Sequence, residues 1–295
     1  MTTIDMQGRV CLVTGGSSGI GKVTARELAG MGATVVMLCR NRTKGEAAQA
    51  EIKEASGNAQ VDLIVADLSE LSQVRRAASE FRQKYTQLHV LINNAGGANP
   101  ERKATPDGLE TTFEANYLAP FLLTQLLLDT LKASAPARIV NVSSAGHTIG
   151  NIDFADLQAT RRYGSMKAYS QSKLAQIFFT YELADRLAGS GVTVNALHPG
   201  LVISNFNDGL PGFMRVMGTA FYALFGISAE KGAQTSLYLA TSPEVEGVSG
   251  KYFSNCKEIR SSKRSYDQAI RLRLWEVSEE LIQQNETASH PILEK

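Results

Sequence analysis

The chain has 295 residues, 43% hydrophobic and 20% charged, enough for one large α/β domain or two small ones around a real core. A formal net charge of +1 gives no electrostatic case for a nucleic-acid partner. Cys11, Cys39, Cys256 and the histidines His89, His147, His198 and His290 show neither metal-ligand nor disulfide spacing, so no metal is expected and a reducing, cytoplasmic setting fits.

Met1–Gly8 contains Asp5 and no apolar run, which argues against a signal peptide. No uncharged apolar stretch reaches the length of a membrane span. Val10–Val13 is predicted as the first strand. It leads into the glycine-rich turn Thr14–Gly21 (TGGSSGIG) and a helix over Lys22–Met31. Thr34–Cys39 reads as strand two and Thr43–Ala55 as a helix. Val61–Ala66 is strand three, followed by Asp67, Leu68 and a helix over Leu71–Tyr85. Leu88–Ile92 is strand four, Asn93–Gly97 a turn, and Leu109–Leu131 a long helix. Arg138–Val142 is strand five, Ser165–Ala188 another long helix, and Val192–Leu197 strand six. Lys251–Ser254 is a candidate seventh, edge strand. Ser261–Lys295 is polar, with a helix over Tyr266–Gln284, and is taken as a peripheral tail.

Short buried strands alternating with helices require a parallel sheet covered on both faces, with right-handed crossovers. The fold class is therefore α/β: a doubly wound parallel sheet of Rossmann type. No linker breaks the chain, so one domain with a small substrate-binding lobe is expected. In such sheets ligands lie beyond the carboxyl ends of the strands. Six strand ends bring turn or polar residues to that edge: Gly15–Gly21, Arg40, Asp67, Asn93–Gly96, Ser143–Ser144 and Pro199–Gly200.

Gly15, Gly19 and Gly21 let the first turn bend sharply and admit a ligand. The helix after it aims free N–H groups and a positive dipole end at that turn, which favours a phosphate. Tyr169 and Lys173 are four apart on one helix and share a face. A nearby ammonium favours tyrosinate, so the phenol can give a proton to a carbonyl oxygen or take one from an alcohol. Ser144 could hold the same oxygen. Each residue also has a plainer role. Tyr169 and Lys173 could be an exposed pair, the serines could close a strand, Asn116 could face solvent, and Asp67 could cap the next helix. Asn93 and Asn94 suit a turn.

Thr14-Gly-x-x-x-Gly-x-Gly21, Asn93-Asn-Ala-Gly96, Ser144, Tyr169-x-x-x-Lys173 and Pro199-Gly200, in this order and spacing, resemble the short-chain dehydrogenase/reductases of the compact type. The resemblance runs to about residue 255. Within it, CRNRTKGE (Cys39–Glu46), NVSSAGH (Asn141–His147) and His198-Pro-Gly200 are similar to the retinol dehydrogenase-like branch.

The resemblance implies a catalytic set of Asn116, Ser144, Tyr169 and Lys173, with Ser144 favoured over Ser143. It has Lys173 hold the nicotinamide ribose and Asn116 support a water-linked proton path to it. Gly15, Ser17, Ser18, Gly19, Ile20 and Gly21 are expected to hold the cofactor. Asp67 and Leu68 then flank the adenine, and Asn94, Ala95 and Gly96 lie under the ribose. Pro199, Gly200 and Val202 are assigned to the cofactor as well, and a contact from Ser204 is plausible. It further implies homodimers or homotetramers packed through the Leu109–Leu131 and Ser165–Ala188 helices.

A carboxylate at the end of strand two would favour NAD. Arg40 stands there instead, with Arg42 and Lys44 nearby, and a guanidinium can pair with a 2′-phosphate. NADP(H) is therefore the expected cofactor. Leu201–Gly226 is apolar, aromatic and glycine-punctuated, and reads as a lid over an apolar pocket or as packing. His147 is read as a surface-loop residue and His198 as structural. The expected activity is interconversion of an apolar aldehyde or ketone with its alcohol. A non-catalytic NADP(H)-binding sensor on the same fold is the alternative; it should have lost one of the four catalytic residues, and none is lost. A sugar-nucleotide epimerase fits the glycine spacing poorly.

Overall fold

Apolar runs bounded by glycine and polar turns become β1 (Val10–Thr14), β2 (Thr34–Cys39), β3 (Val61–Val65), β4 (Val90–Asn93), β5 (Ala137–Val142), β6 (Val192–Leu197) and β7 (Lys251–Ser254). The computed structural model describes residues 5–200 and 227–289. One further strand, β8 (Lys257–Ile259), completes a sheet ordered β3-β2-β1-β4-β5-β6-β7-β8. All neighbours are parallel except β7 and β8. This is the doubly wound parallel sheet that the alternating pattern requires.

The long helices among the described residues are α1 (Gly19–Gly30), α2 (Arg42–Ser56), α3 (Leu71–Lys84), α4 (Ala119–Ala133), α5 (Ser165–Arg186), α6 (Ala229–Thr241) and α7 (Gln268–Ser289). Side chains alternate across a strand, and both faces of this sheet are apolar. Cys11, Val13, Val35 and Met37 pack with Leu28 of α1, Ile52 of α2 and Leu239 of α6. Leu12, Val36 and Leu38 join the opposite cluster with Phe81 of α3, Phe121 of α4, Phe178 of α5 and Trp275 of α7.

Four expectations change. Lys251–Ser254 is not the edge, because Asn255 and Cys256, at φ +49° and +59°, turn the chain back into β8. The helix expected from Leu109 begins with Thr111–Phe113, where the Glu110 carboxylate accepts from the Thr112 and Phe113 N–H groups. A π-helical turn, Glu114–Leu118, then leads into α4. Asn93 belongs to β4 rather than a turn. Its amide donates to Asn141 Oδ1 at 2.8 Å, and Asn141 donates to Thr180 Oγ1 at 2.9 Å, a buried polar ladder from sheet to α5.

The fourth concerns the tail. Trp275 is 4% exposed and its ring centroid lies 4.8 Å from that of Phe121. The Arg186 guanidinium sits 4.1 Å over the same indole. Arg271 pairs with Glu182 at 2.9 Å and Asp185 at 2.7 Å. Tyr117 and Ser278 hydroxyls bond at 2.8 Å. Thus α7 is a packed layer over α4 and α5, the helices through which subunits were expected to meet.

Candidate active site

The glycines after β1 act by close approach. Gly15 and Gly19 are left-handed, at φ +70° and +52°. A Cβ on Gly21 would stand 2.3 Å from the Gly15 carbonyl oxygen and 2.4 Å from Asn94 Nδ2. Asn94 Nδ2 donates to the Thr14 carbonyl at 2.8 Å, while Thr14 Oγ1 accepts from the Asn94 and Ala95 N–H groups, each at 3.0 Å. The turns after β1 and β4 are thereby tied into one cradle.

Ser18 precedes α1 with no side-chain cap, whereas Asn41 caps α2 by accepting from the Lys44 N–H at 2.9 Å. The first-turn N–H groups of α1, around Ile20, therefore keep their partial positive charge for an anion. Arg40, just after β2, and Lys44, in the first turn of α2, are exposed. The Cys39 thiol lies under Ser17, and burial raises its pKa.

Asp67 does not cap α3. Its Oδ1 accepts from the Ser69 N–H at 2.9 Å and the Ser69 hydroxyl at 2.8 Å, a local turn, beside buried Leu68. The Leu71 N–H is held instead by Asp107 Oδ2 at 2.7 Å. Glycines that must lack a Cβ, a helix start without its own cap and basic residues at the next strand end together fit a dinucleotide phosphate.

At the other half of the edge the two serines separate. Ser143 is 3% exposed and donates to the Lys173 carbonyl at 2.8 Å. Ser144 is half-buried, and its Oγ accepts from the Gly146 N–H at 3.1 Å, which leaves the hydroxyl hydrogen to donate elsewhere. A Cβ on Gly146 would lie 3.3 Å from Tyr169 Cε1 and 3.5 Å from Ser144 Oγ, so the phenol ring and the serine hydroxyl flank one glycine.

Lys173 Nζ is 5.7 Å from the Tyr169 ring centroid and donates to the Val142 carbonyl at 2.9 Å and Gln176 Oε1 at 3.1 Å. Burial pushes the Lys173 ammonium down to about 7. Asn116 is buried in the π-helical turn rather than turned to solvent. Its Nδ2 donates to the Gly97 carbonyl at 2.8 Å and Ser172 Oγ at 2.9 Å, and its Oδ1 accepts from the Gly97 N–H at 2.9 Å. A Cβ on Gly96 would stand 3.1 Å from both Asn116 Oδ1 and Lys173 Nζ. Pro199 and Gly200 follow β6, with Gly200 at φ +93° and its N–H on His198 Nδ1 at 3.2 Å. Val202, Ser204 and the stretch Leu201–Gly226, expected as a lid or as packing, lie outside the described residues.

His147 is 2% exposed, not a surface residue, and binds the backbone of Ser144. Gln176, Ser172 and Gly146 also belong to the site. Of these, Gln176 was within reach of sequence reasoning, three positions after Lys173 on one helix face.

Residues 9–211 match the family model described as short chain dehydrogenase. The chain belongs to the short-chain dehydrogenase/reductase family. It is an oxidoreductase of that family, which works with a nicotinamide cofactor. It is 46% identical to mouse retinol dehydrogenase 12 over 281 residues, 95% of this chain and 88% of that relative. Mouse retinol dehydrogenase 14 is 44% identical over 289 residues, 94% of this chain and 86% of that relative. Among solved structures, an uncharacterised protein from Mycobacterium paratuberculosis superimposes with a TM-score of 0.77 at 35% identity over 95% of both chains. The Pseudomonas aeruginosa RhlG/NADP active-site complex superimposes with a TM-score of 0.68 at 26% identity, covering 84% of this chain and 95% of that one.

Proposed function

We propose that this enzyme interconverts an apolar aldehyde or ketone and its alcohol, using NADP(H). The convergence of Ser144, Tyr169, Lys173 and Asn116 at one end of the sheet carries the reading. The similarity to retinol dehydrogenases supports an apolar substrate. Exposed Arg40 and Lys44, with no carboxylate closing β2, support a 2′-phosphate, as does likeness to an NADP complex.

The glycine cradle, the start of α1, Arg40 and Asp67 would hold the dinucleotide, and Lys173 its nicotinamide ribose. Bound there, the nicotinamide supplies the hydride in reduction and accepts it in oxidation. Ser144 donates its hydroxyl hydrogen to the substrate oxygen and fixes it beside the Tyr169 phenol. In reduction, Tyr169 gives that oxygen its proton; in oxidation it takes the proton back. Lys173, when charged, favours the phenolate that remains. Its neighbours Val142 and Gln176 hold the ammonium in place without a counter-charge that would cancel its field. Asn116 gives both amide hydrogens to Gly97 and Ser172, so only the second lone pair of its Oδ1 is left to order a water that returns a proton to Lys173.

The test is steady-state NADPH oxidation with a panel of apolar aldehydes and ketones, retinal included. Tyr169→Phe should lower kcat by about 10²–10⁴-fold while NADPH still binds. Full turnover by that variant refutes the mechanism. Tight NADPH binding with no turnover on any carbonyl supports a sensor instead.

A further inference from the structure

We propose that His147 is a positioning residue that fixes Ser144 by tying its backbone to the C-terminal segment after β8; this rests on the reaction proposed above. The two ring nitrogens have unlike partners. Nε2 lies 3.0 Å from the Ser262 backbone nitrogen, which can only donate. Nδ1 lies 2.8 Å from the Ser144 carbonyl oxygen, which can only accept. The ring is therefore the neutral Nδ1–H tautomer, a bridge between residues 144 and 262. An imidazolium would set two donors against each other at Ser262. Burial lowers the His147 pKa, in keeping with a neutral ring.

The bridge has a rigid setting. The Tyr252 hydroxyl is 3.3 Å from Nδ1, and the two rings meet edge-on at 4.9 Å between centroids. Arg264 Nη1 donates to the Gly150 carbonyl at 3.0 Å, a second tie from the same C-terminal segment to the 3₁₀ turn Ala145–Ile149. A Cβ on Gly150 would stand 2.4 Å from the Ser170 carbonyl oxygen, so that turn also presses on α5 next to Tyr169. Ser144 begins this turn, and its hydroxyl direction follows from the backbone that His147 holds. Residues 252, 262 and 264 lie beyond the stretch matched by the family model, so this part of the chain takes a share in shaping the site.

The experiment is a double-mutant cycle on carbonyl reduction, with His147→Ala, Ser144→Ala and both together. His147→Ala should lower kcat about tenfold with the NADPH KM within about twofold. In the Ser144→Ala background, the further loss should stay below about twofold, because the hydroxyl being positioned is gone. His147→Asn, which keeps a donor near the Nδ1 position, should recover part of kcat, and His147→Gln should not. Losses that multiply, or an Asn variant no better than Ala, overturn the inference and leave the proposed reaction standing. A wild-type enzyme inactive on every carbonyl sinks both. If His147→Ala fails to fold, ring nitrogen-15 shifts of the wild-type enzyme with NADPH decide: the Nδ1–H tautomer is expected, and the Nε2–H tautomer overturns the bridge.

Discussion

Gly21→Ala puts a methyl where the cradle has no room. Its Cβ would lie 2.3 Å from the Gly15 carbonyl oxygen and 2.4 Å from Asn94 Nδ2. Restoring ordinary contact near 3.5 Å moves the loop or the helix by roughly 1 Å. Such overpacking costs about 1–3 kcal/mol. Pushing Asn94 off the Thr14 carbonyl at 2.8 Å leaves a buried acceptor short of a partner, about 1–3 kcal/mol more. Alanine returns about 1 kcal/mol through helix propensity. The net loss is about 3 kcal/mol, or roughly 6–10 °C in Tm for a domain of this size.

The same shift should weaken NADPH about tenfold or more, since 1.4 kcal/mol of lost fit suffices. Gly19→Ala is the control. Nothing lies within 4 Å of its Cβ and only the φ of +52° resists, which costs about 1–2 kcal/mol. Thermal melts and NADPH titrations of both variants are the assay. If Gly21→Ala melts within about 2 °C of wild type, less than 1 kcal/mol on this scale, and binds NADPH normally, close approach does not explain this glycine.

Arg40→Asp should weaken NADPH far more than NADH; equal effects in paired titrations count against the 2′-phosphate contact. Glu114 has a buried carboxyl whose pKa burial raises to about 8, with the Thr105 hydroxyl opposing and Asp107 reinforcing. Its folded pKa lies well above the ordinary carboxylate range, so the stability it contributes is present at pH 4 and lost as pH climbs through about 8. Glu114→Gln should therefore flatten the fall in Tm between pH 5 and pH 9, and an unchanged slope would reject that assignment. Trp275→Ala should cost about 3–5 kcal/mol by urea unfolding, as for a core aromatic. A loss below about 0.5 kcal/mol would mark α7 as a surface tail after all.

Two strands, β2 and β6, end where their apolar runs end, because polar or Pro-Gly turns follow them. The strand β8 left no such mark: all three of its residues are exposed, and only pairing with β7 makes them a strand. The tail misled for a related reason. Its polar composition describes the outer side of α7, whereas Trp275 and Leu274 find partners on α4 and α5 far back in the chain. Asp67 was a fair cap candidate on spacing, yet Asp107 reaches the helix from a loop 36 positions away.

Local periodicity, which depends on neighbours within a turn or two, was enough for the sheet, and the chain order of the glycines, Ser144, Tyr169 and Lys173 carried the resemblance to the family. The resemblance already favoured Ser144 over Ser143, but why the Ser143 hydroxyl is occupied, and why the histidine after Ser144 is buried, came only with tertiary structure. The Ser143 hydroxyl is taken by a carbonyl 30 positions on, and His147 meets Ser262 across 115. Hydrogen bonds of that span depend on how the layers close, and no local pattern encodes them.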